Sequence, residues 1–388
     1  MGGLVIVVLA AAGAFAVVTL AGTGAPNPAT PPLFSPAASD SALVGAAASP
    51  VVTEVPSSVA PPSVAPSPTP ALVPAPLTGR LVARALAARH PIAVMVDDQA
   101  DARPQSGFNQ ASVVWQAPAE GGIPRYMLIF GEGNPPSVGP VRSSRQYFIT
   151  WAAEWHALYV HVGGSPQALA TLATSGQGQL VYDADEFRWG PTFLWRITQR
   201  VAPHNVYSDG KHLRELAARA GATSPPDGPI WLFGPAAPLA VRPAGGTITV
   251  TYPANQIGYR YDRASNTYLR SVEGEPQVDA GDGRQVAPAN VVVMTVVFGP
   301  LNDGHPNKKR LEAQNIGSGP AWIATNGVTI MGTWRKDSID APTRFYDAAG
   351  REVVLTAGQT FIQVVPPGTP VQIVAGRSPE TGSGPTPR

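Results

Sequence analysis

The chain has 388 residues, with 27 Lys and Arg, 26 Asp and Glu, and a formal net charge of +1. A net charge this close to zero excludes the global field that draws a protein to nucleic acid or to an anionic membrane surface. No Cys occurs in the sequence, which excludes disulfides, a thiolate nucleophile, zinc–thiolate sites and a lipid attached to Cys.

The first part of the chain is an uncharged apolar run from Leu4 to Leu20. As a helix this run would be about 25 Å long, close to the ~30 Å hydrocarbon core of a bilayer. Residues 1–22 are therefore predicted to be an uncleaved signal anchor, which the length of the run favours, or a secretory signal peptide cleaved near Ala21–Thr23. Either interpretation places the body on the extracytoplasmic side, attached to the cell membrane or secreted after cleavage.

Residues 23–79 are rich in Pro, Ala, Ser and Thr, and no Lys or Arg occurs before Arg80. Such a composition buries too little apolar surface to offset chain entropy, so we expect a disordered, semi-stiff tether. This tether would let the body extend across a cell-wall layer, or it would be a linker under no structural demand. Residues 378–388 are likewise predicted to be a disordered tail.

The body is predicted to have an α+β fold, with a mixed α/β domain over residues 80–224. Strands are predicted at Ile92–Val96, Ser112–Gln116, Tyr126–Phe130 and Leu158–Val162, and helices at Ser143–Trp155, Pro166–Thr174 and Gly210–Ala220. The last helix has Asp209 as its N-cap and ends before Gly221.

The second domain, residues 225–377, is predicted to be β-rich, with a meander or barrel-like sheet. Its strands are predicted at Thr247–Tyr252, Gly258–Asp262, Tyr268–Val272, Val291–Phe298, Ala321–Thr325, Thr329–Trp334 and Gln359–Val365. Turns such as Asn326-Gly327 separate the strands, and the Pro-rich stretch Ser224–Pro229 marks the seam between the domains.

Short polar and Gly-rich motifs occur along the whole body. They are ARPQSG (102–107), AEGGIPR (119–125), GPVRSSRQYF (139–148), HVGGSP (161–166), APHN (202–205), GSG (317–319), GTWRK (332–336), PTRFYD (342–347) and GQTFIQVVP (358–366). In this order they resemble the motifs of the YerB-like family of bacterial extracytoplasmic proteins. The resemblance implies an N-terminal mixed α/β domain and a C-terminal β-rich domain, and it implies no reaction. Many relatives resemble lipoproteins acylated on Cys, so here a protein anchor would have to replace the lipid.

The motif from Gly139 to Arg145 places Arg142, Ser143 and Arg145 at the start of a predicted helix. Two guanidinium groups oppose the helix dipole there, and a bound phosphate, sulfate or carboxylate would offset them. The alternative is that both arginines pair with internal acids such as Asp97, Asp98 or Glu120.

The motif from His161 to Pro166 is typical of a strand, a Gly-rich turn and a helix start. Gly163, Gly164 and Ser165 would form a second anion-facing turn, with His161 as an acid or base at the strand end. The alternatives are an N-capping Ser165 and a structural His161. Ser165 does not fit the nucleophile motif G-x-S-x-G.

Three further polar positions complete the candidates. Glu120 precedes two Gly and Arg125, and it would be either an acid–base group or part of an ion pair that stabilises the turn. His204 and Asn205 lie in a loop, where they would either bind a ligand or form internal hydrogen bonds. Candidate catalytic residues are thus Glu120, His161 and His204, and candidate ligand-binding residues are Arg125, Arg142, Ser143, Arg145, Gly163, Gly164, Ser165 and Asn205.

No known catalytic, nucleotide-binding or zinc motif occurs, so no cofactor and no metal site are predicted. Asp97-Asp98 and the acids at 183, 185 and 186 lack a calcium-loop spacing. Two functions are weighed: a membrane-attached envelope protein that binds or processes an anionic or carbohydrate wall polymer in an Arg/His-lined cleft, and a non-catalytic scaffold for an envelope protein partner. Nucleic acid is not an expected partner.

Overall fold

A computed structural model describes residues 71–378. The predicted membrane segment, most of the predicted tether and nearly all of the predicted tail lie outside these residues. The described residues fall within one unit of the chain, Ser67–Arg388. None of the helices between residues 71 and 378 is long and apolar enough to cross a membrane.

Five α-helices occur in this part of the chain. They are α1 (Arg84–Ala87), α2 (Gln146–Ala152), α3 (Pro166–Ser175), α4 (Glu186–Trp189) and α5 (Gly210–Arg219). A 3-10 turn, Ala153–Trp155, continues α2. The N-cap of α3 is Ser165, whose hydroxyl accepts from the Ala168 N–H, and the N-cap of α5 is Asp209.

Strands supply most of the structure. The first half contains β1 (Leu72–Pro74), β2 (Leu81–Ala83), β3 (Ile92–Asp97), β4 (Val113–Pro118), β5 (Pro124–Phe130), β6 (Leu158–His161), β7 (Tyr182–Asp185), β8 (Trp195–Arg196) and β9 (Val206–Tyr207). The second half contains β10 (Leu232–Gly234), β11 (Thr247–Thr251), β12 (Gln256–Asp262), β13 (Thr267–Val272), β14 (Glu275–Pro276), β15 (Asn290–Thr295), β16 (Phe298–Pro300), β17 (Leu311–Ala313), β18 (Gly317–Thr325), β19 (Val328–Lys336), β20 (Arg344–Asp347), β21 (Val354–Thr356), β22 (Thr360–Val365) and β23 (Val371–Val374).

One ten-stranded sheet runs through both halves, in the order β20-β19-β18-β15-β22-β4-β5-β3-β6-β7. The halves join where β22 pairs in parallel with β4, from Thr360 opposite Val113 to Gln363 opposite Gln116. Every residue of β3, β4 and β22 is buried. Strands buried on both faces are nearly continuous apolar runs, broken here by buried polar residues such as Gln116 and Gln363, and they require helices or a second sheet on each side.

The second sheet is a five-stranded antiparallel meander, β14-β13-β12-β11-β23. Its strands β12 and β13 alternate between buried and exposed residues, as expected of a sheet with one face on the core. The inward row includes Tyr259, Tyr261 and Tyr268, which join the same apolar cluster as β3 and β5.

The predicted α+β fold class is confirmed, and each predicted strand and helix overlaps an observed one. Two boundaries are wrong. The predicted disordered tether, residues 23–79, extends too far, because Leu72–Pro74 form β1 and Ala75 and Leu77 are buried. Helix α2 begins at Gln146 rather than near Ser143. The backbone of Ser144 is used elsewhere: its N–H donates to Gly163 O at 2.9 Å, and its C=O accepts from the Ser165 N–H. The domain boundary at residue 224 stays a prediction.

Candidate functional site

Polar side chains gather where the parallel strands of the first half end. β3 ends at Asp97, and β4, which runs in the same direction, is followed by Glu120. The antiparallel β5 begins at this edge with Pro124 and Arg125. In open α/β sheets, ligands bind outside the carboxyl ends of the strands. This edge is therefore the candidate ligand-binding site.

The segment Gly139–Ser144 runs between the ends of β3 and β6. The Arg142 N–H donates to Met95 O at 2.9 Å, and the Val162 N–H donates to Arg142 O at 3.1 Å. Ser144 then bridges to Gly164. The motifs that the sequence singled out around residues 142 and 163 are therefore in direct backbone contact, although twenty residues separate them.

Arg145 and Arg125 share one carboxylate. Arg145 donates to Glu120 from Nε at 2.5 Å and from Nη2 at 2.7 Å, a bidentate pair. The Arg125 Nη2 lies 3.5 Å from the same carboxylate, and its Nη1 donates to Ser143 O at 2.7 Å. Burial and the charge of Arg145 lower the pKa of Arg125 to about 10. Burial is the larger cause of this lowered pKa, and the second cation beside the shared carboxylate adds to it.

Glu120 should make folding sensitive to acid. Burial alone would raise the pKa of its carboxyl, but hydrogen bonds and charge from Arg145, with the charge of Arg125, lower it below the ordinary 4.5. A pKa depressed in the folded state gives stability that is present above the ordinary pKa and lost as pH falls below it. We expect wild type to lose on the order of 1–2 kcal/mol more than Glu120→Gln between pH 7 and pH 3, since the pair is partly exposed.

Urea unfolding at the two pH values measures this difference. Glu215→Gln is the matched control, because the Lys211–Glu215 pair is 3.9 Å long and more than half exposed. An equal acid dependence of wild type and Glu120→Gln would show that the Glu120 pairing does not stabilise the fold.

A second group forms around Asp97. The Arg142 Nε lies 2.8 Å from Asp97 Oδ2, and His204 Nδ1 lies 2.7 Å from the same oxygen. The Arg142 contact is an ion pair without hydrogen-bond geometry: its buried Nε has no hydrogen-bond partner among residues 71–378. The hydrogen bond that His204 Nδ1 donates to Asp97 holds the imidazole in place, and His204 also borders an open groove with Asp101 and Arg200.

We define the arginine edge as Asp97, Glu120, Arg125, Arg142, Arg145 and His204. Three guanidinium groups face two carboxylates there, which leaves one excess positive charge when His204 is neutral. Side-chain exposure is only 10–18% for Arg142 and Arg145. The arginines therefore pair with internal acids, as the second sequence alternative predicted, and ligand binding by them stays a prediction.

The Gly-rich turn lies next to the arginine edge, but both ring nitrogens of its His161 already contact internal partners. His161 is fully buried, with Nδ1 2.8 Å from Gly163 O and Nε2 2.8 Å from Asp183 Oδ1. The Gly163 N–H donates to Asp185 Oδ1 at 2.9 Å, with φ of +56°. Ser165 caps α3. This geometry favours a structural histidine and a capping serine over an acid–base pair.

The remaining candidates have internal roles. The Asn205 side chain accepts from Arg196 Nη1 at 3.0 Å, and Arg196 also pairs with Glu186. Trp151 belongs to the core, because it is fully buried and stacks on Trp115 with ring centroids 4.6 Å apart. Within residues 71–378, no three His, Asp or Glu side chains are grouped so that they could hold a metal ion.

Sequence reasoning missed a buried polar network behind the arginine edge. Asp98, next to Asp97, is paired with Arg103 at 3.1 Å and accepts from Gln116 and Asn255. Gln116 in turn accepts from Arg270. The sequence did contain one signal of this network: Arg270 occupies an inward position of an alternating strand, between Tyr268 and Val272.

The fold and this edge define a two-domain α+β protein with one sheet common to both halves. The chain belongs to the family described as "Protein of unknown function (DUF3048)": the N-terminal domain of that family matches residues 77–223, and its C-terminal domain matches residues 248–362. The YerB-like resemblance drawn from the motifs is thereby confirmed.

The sequence comparison and the structure comparison both match YerB of Bacillus subtilis. The chain is 30% identical over 297 residues to the protein of strain 168 named "Putative lipoprotein YerB", covering 74% of this chain and 85% of the relative. The crystal structure of the YerB protein superposes with a TM-score of 0.68 at 26% identity, covering 77% of this chain and 99% of that one.

Proposed function

We propose that this protein is an extracytoplasmic, membrane-attached binding protein of the bacterial envelope, and that the arginine edge binds an anionic or carbohydrate wall polymer. The location is supported by the apolar run at residues 4–20, the Pro-rich stretch after it, and the lipoprotein name of the relative. Because this sequence has no Cys, the apolar run would itself be the anchor. Recovery of the chain, with residues 1–22 intact, in the soluble cytoplasm would overturn the location.

The observation that carries the ligand class is the incomplete pairing of Arg142. Its Nε lies 2.8 Å from Asp97 Oδ2 without hydrogen-bond geometry, and 18% of the side chain is exposed. A guanidinium is a planar donor that matches phosphate and carboxylate. An anionic group of a polymer would accept from the exposed part of this guanidinium and offset the excess positive charge of the arginine edge.

We expect Arg142→Ala to weaken binding of the full-length protein to purified anionic wall polymer about tenfold or more, the effect of losing one charge-assisted hydrogen bond. Because Asp97 is buried and loses its cation, the thermal midpoint should fall as well, so binding is measured well below the midpoint of the variant. Co-sedimentation with wall polymer at two salt concentrations measures binding, and weaker binding at the higher salt is expected. Arg335→Ala is the control, since Arg335 is 62% exposed and pairs only with Asp337.

The scaffold alternative is favoured by the bidentate pair of Arg145 with Glu120, which is typical of a structural ion pair. In that case Arg142→Ala and Arg145→Ala would lower the melting temperature and leave polymer binding equal to wild type. That outcome would remove the support for ligand binding at the arginine edge.

A further inference from the structure

His204 presents a free ring nitrogen at an open groove next to the arginine edge. The groove has a volume of about 650 Å³. Its walls are Asp101, Gln199, Arg200, Val201, Ala202 and His204. The Nε2 atom of His204 has no hydrogen-bond partner among residues 71–378, and it is not one of the enclosed atoms that lack a partner there. This nitrogen therefore reaches solvent, although only 12% of the side chain is exposed.

Asp97 determines which ring nitrogen of His204 carries the proton. Its buried carboxylate can only accept, so Nδ1 donates and the neutral imidazole keeps its lone pair at Nε2. The other carboxylate oxygen, Oδ1, accepts from the Gln99 N–H at 3.2 Å. A carboxylate that orients a histidine, whose second nitrogen reaches solvent, is the arrangement of a general base and its orienting group. His90 and His161 do not have this arrangement, because both of their ring nitrogens contact internal partners.

The backbone fixes the two groups relative to each other. The Asp97 N–H donates to Pro140 O at 3.0 Å, and the Val141 N–H donates to Val206 O at 2.7 Å. Two adjacent residues thus connect the end of β3, which carries Asp97, to the first residue of β9, which follows His204 by two positions. A base held by rigid elements keeps the geometry that proton transfer requires.

A cation lies beside this base. Arg142 Nε and His204 Nδ1 contact the same oxygen of Asp97, at 2.8 Å and 2.7 Å, so the guanidinium and the imidazole are neighbours. An anionic group at the exposed part of Arg142 would bring its own bonds close to His204. The walls of the groove offer no hydroxyl, thiol or amine nucleophile, which leaves water as the molecule that this base would activate.

Phosphodiester bonds fit this pair of groups better than the other bonds of an anionic polymer do. In a phosphodiester, the charged group that Arg142 would hold is also the group that is attacked. In a polymer of carboxylated sugars, the charge and the backbone bond are on different atoms, so that holding the charge does not place the bond beside His204.

We propose that this protein hydrolyses phosphodiester bonds of an anionic wall polymer, with His204 as the general base and Asp97 as its positioning residue. His204 Nε2 takes a proton from a water molecule, whose oxygen forms a bond to phosphorus. The bond from phosphorus to the leaving alcohol oxygen breaks, and the imidazolium returns the proton to that oxygen. Water and a diester thus give a monoester and an alcohol. The inference rests on the function proposed for the arginine edge, because Arg142 holds the phosphoryl oxygens.

Phosphorus NMR of the full-length protein with poly(glycerol phosphate) tests the reaction, and co-sedimentation of the same mixture tests binding. We expect a phosphomonoester resonance to grow as the diester resonance declines, and in ¹⁸O-labelled water the label should enter the monoester rather than the alcohol. Binding without any monoester would overturn the hydrolysis and leave the binding function standing. Absence of both binding and hydrolysis would refute both proposals.

His204→Asn keeps a donor near the position of Nδ1 and removes Nε2. We expect this variant to bind poly(glycerol phosphate) as wild type does and to hydrolyse it about a hundredfold more slowly, a usual contribution of a general base. His212→Asn is the matched control, because His212 Nδ1 also lies 2.9 Å from a carboxylate, that of Asp209, but does not line the groove. Hydrolysis by His204→Asn at the wild-type rate would overturn the assignment.

Two further readouts separate the chemistry from stability. The wild-type rate should fall in acid, because a protonated imidazole cannot take a proton from water; the charged groups around it are Asp97, Arg142, Asp101 and Arg200. Asp97→Asn should lower kcat, because its amide can donate to Nδ1 and leave the proton on Nε2. Imidazole added to His204→Gly should restore part of the hydrolysis. A rate that does not fall in acid, or His204→Gly that imidazole cannot rescue, would refute His204 as the base.

Discussion

Replacing Lys336 with Met is expected to lower the free energy of unfolding by about 3–5 kcal/mol, the usual cost of removing one partner from a buried ion pair. Lys336 and Glu154 are both without exposed surface, and their charged atoms are 3.1 Å apart. The Lys336 ammonium also donates to Ala341 O. Without it, the carboxylate of Glu154 would keep only the hydroxyl of Thr343, in an environment that cannot solvate a charge.

The direction of the pH dependence follows from Glu154. Burial raises the pKa of its carboxyl, and the charge of Lys336 opposes this rise. A raised pKa in the folded state gives a contribution that is favourable at low pH and lost as pH rises. Without Lys336 the rise is unopposed, so the deficit of Lys336→Met should shrink as pH falls from 7 towards 5.

Denaturant unfolding of three variants measures the effect. The double variant Glu154→Gln/Lys336→Met should recover part of the loss, because no charge is then left buried. Lys211→Met, which removes an exposed i,i+4 pair, should cost no more than about 0.5 kcal/mol. If the free energy of unfolding of Lys336→Met lies within about 1 kcal/mol of the wild-type value, the Glu154–Lys336 pair is not the structural connection between the halves that the geometry indicates.

Replacing Arg270 with Met should have an effect of similar size, about 3–5 kcal/mol, because Arg270 is a fully buried cation in a network of polar partners. Its guanidinium donates to Tyr259 Oη at 3.0 Å and to Gln116 Oε1 at 2.6 Å, and Gln277 accepts as well. The group also lies over the rings of Tyr126, Tyr259 and Phe361, at 4.9–5.5 Å.

The loss would extend to Asp98. Burial raises the pKa of Asp98, and the charges of Arg103 and Arg270 oppose the rise. Without Arg270, Asp98 keeps Arg103 as its single cation. Gln116 of the first half and Tyr259 of the second half also lose the guanidinium group that joins them. Arg270→Lys should also destabilise the protein, because one ammonium cannot reproduce a planar fork with several donors.

Thermal unfolding of Arg270→Met and Arg270→Lys tests this prediction against Arg260→Met. Arg260 is on the neighbouring strand β12 and is exposed, so its replacement should leave the midpoint close to wild type. A stable Arg270→Lys variant would show that charge alone, rather than the fork geometry, is required at the centre of the network.

Local patterns predicted most of the elements correctly. The buried runs of β3 and β22, the alternation in β12 and β13, and the Asp209 cap of α5 all follow from neighbours in the chain. Local patterns failed where a long-range partner decides the conformation. Ser144 is not helical because Gly163 and Ser165 take its backbone hydrogen bonds.

The candidate site, too, was predicted in part from local sequence patterns and decided in part by long-range contacts. The sequence indicated that arginines and acids near residues 97, 120 and 142 are partners or ligand-binding groups, because charges of opposite sign in short polar motifs must be paired or solvated. It could not assign Glu120 to Arg145 and Arg125 together, or Asp97 to Arg142 and His204. Those assignments depend on which strand ends meet at one edge of the sheet.

By itself, the sequence determined the α+β class, the family and the chemical character of the motifs, because these depend on residue type, periodicity and order along the chain. Only the tertiary structure decided that β22 joins the two halves in one sheet and that Arg142 pairs with Asp97 without hydrogen-bond geometry. It also placed His204 between Asp97 and an open groove. Pairing and burial are properties of groups distant in the chain, and only folding fixes the distances between them.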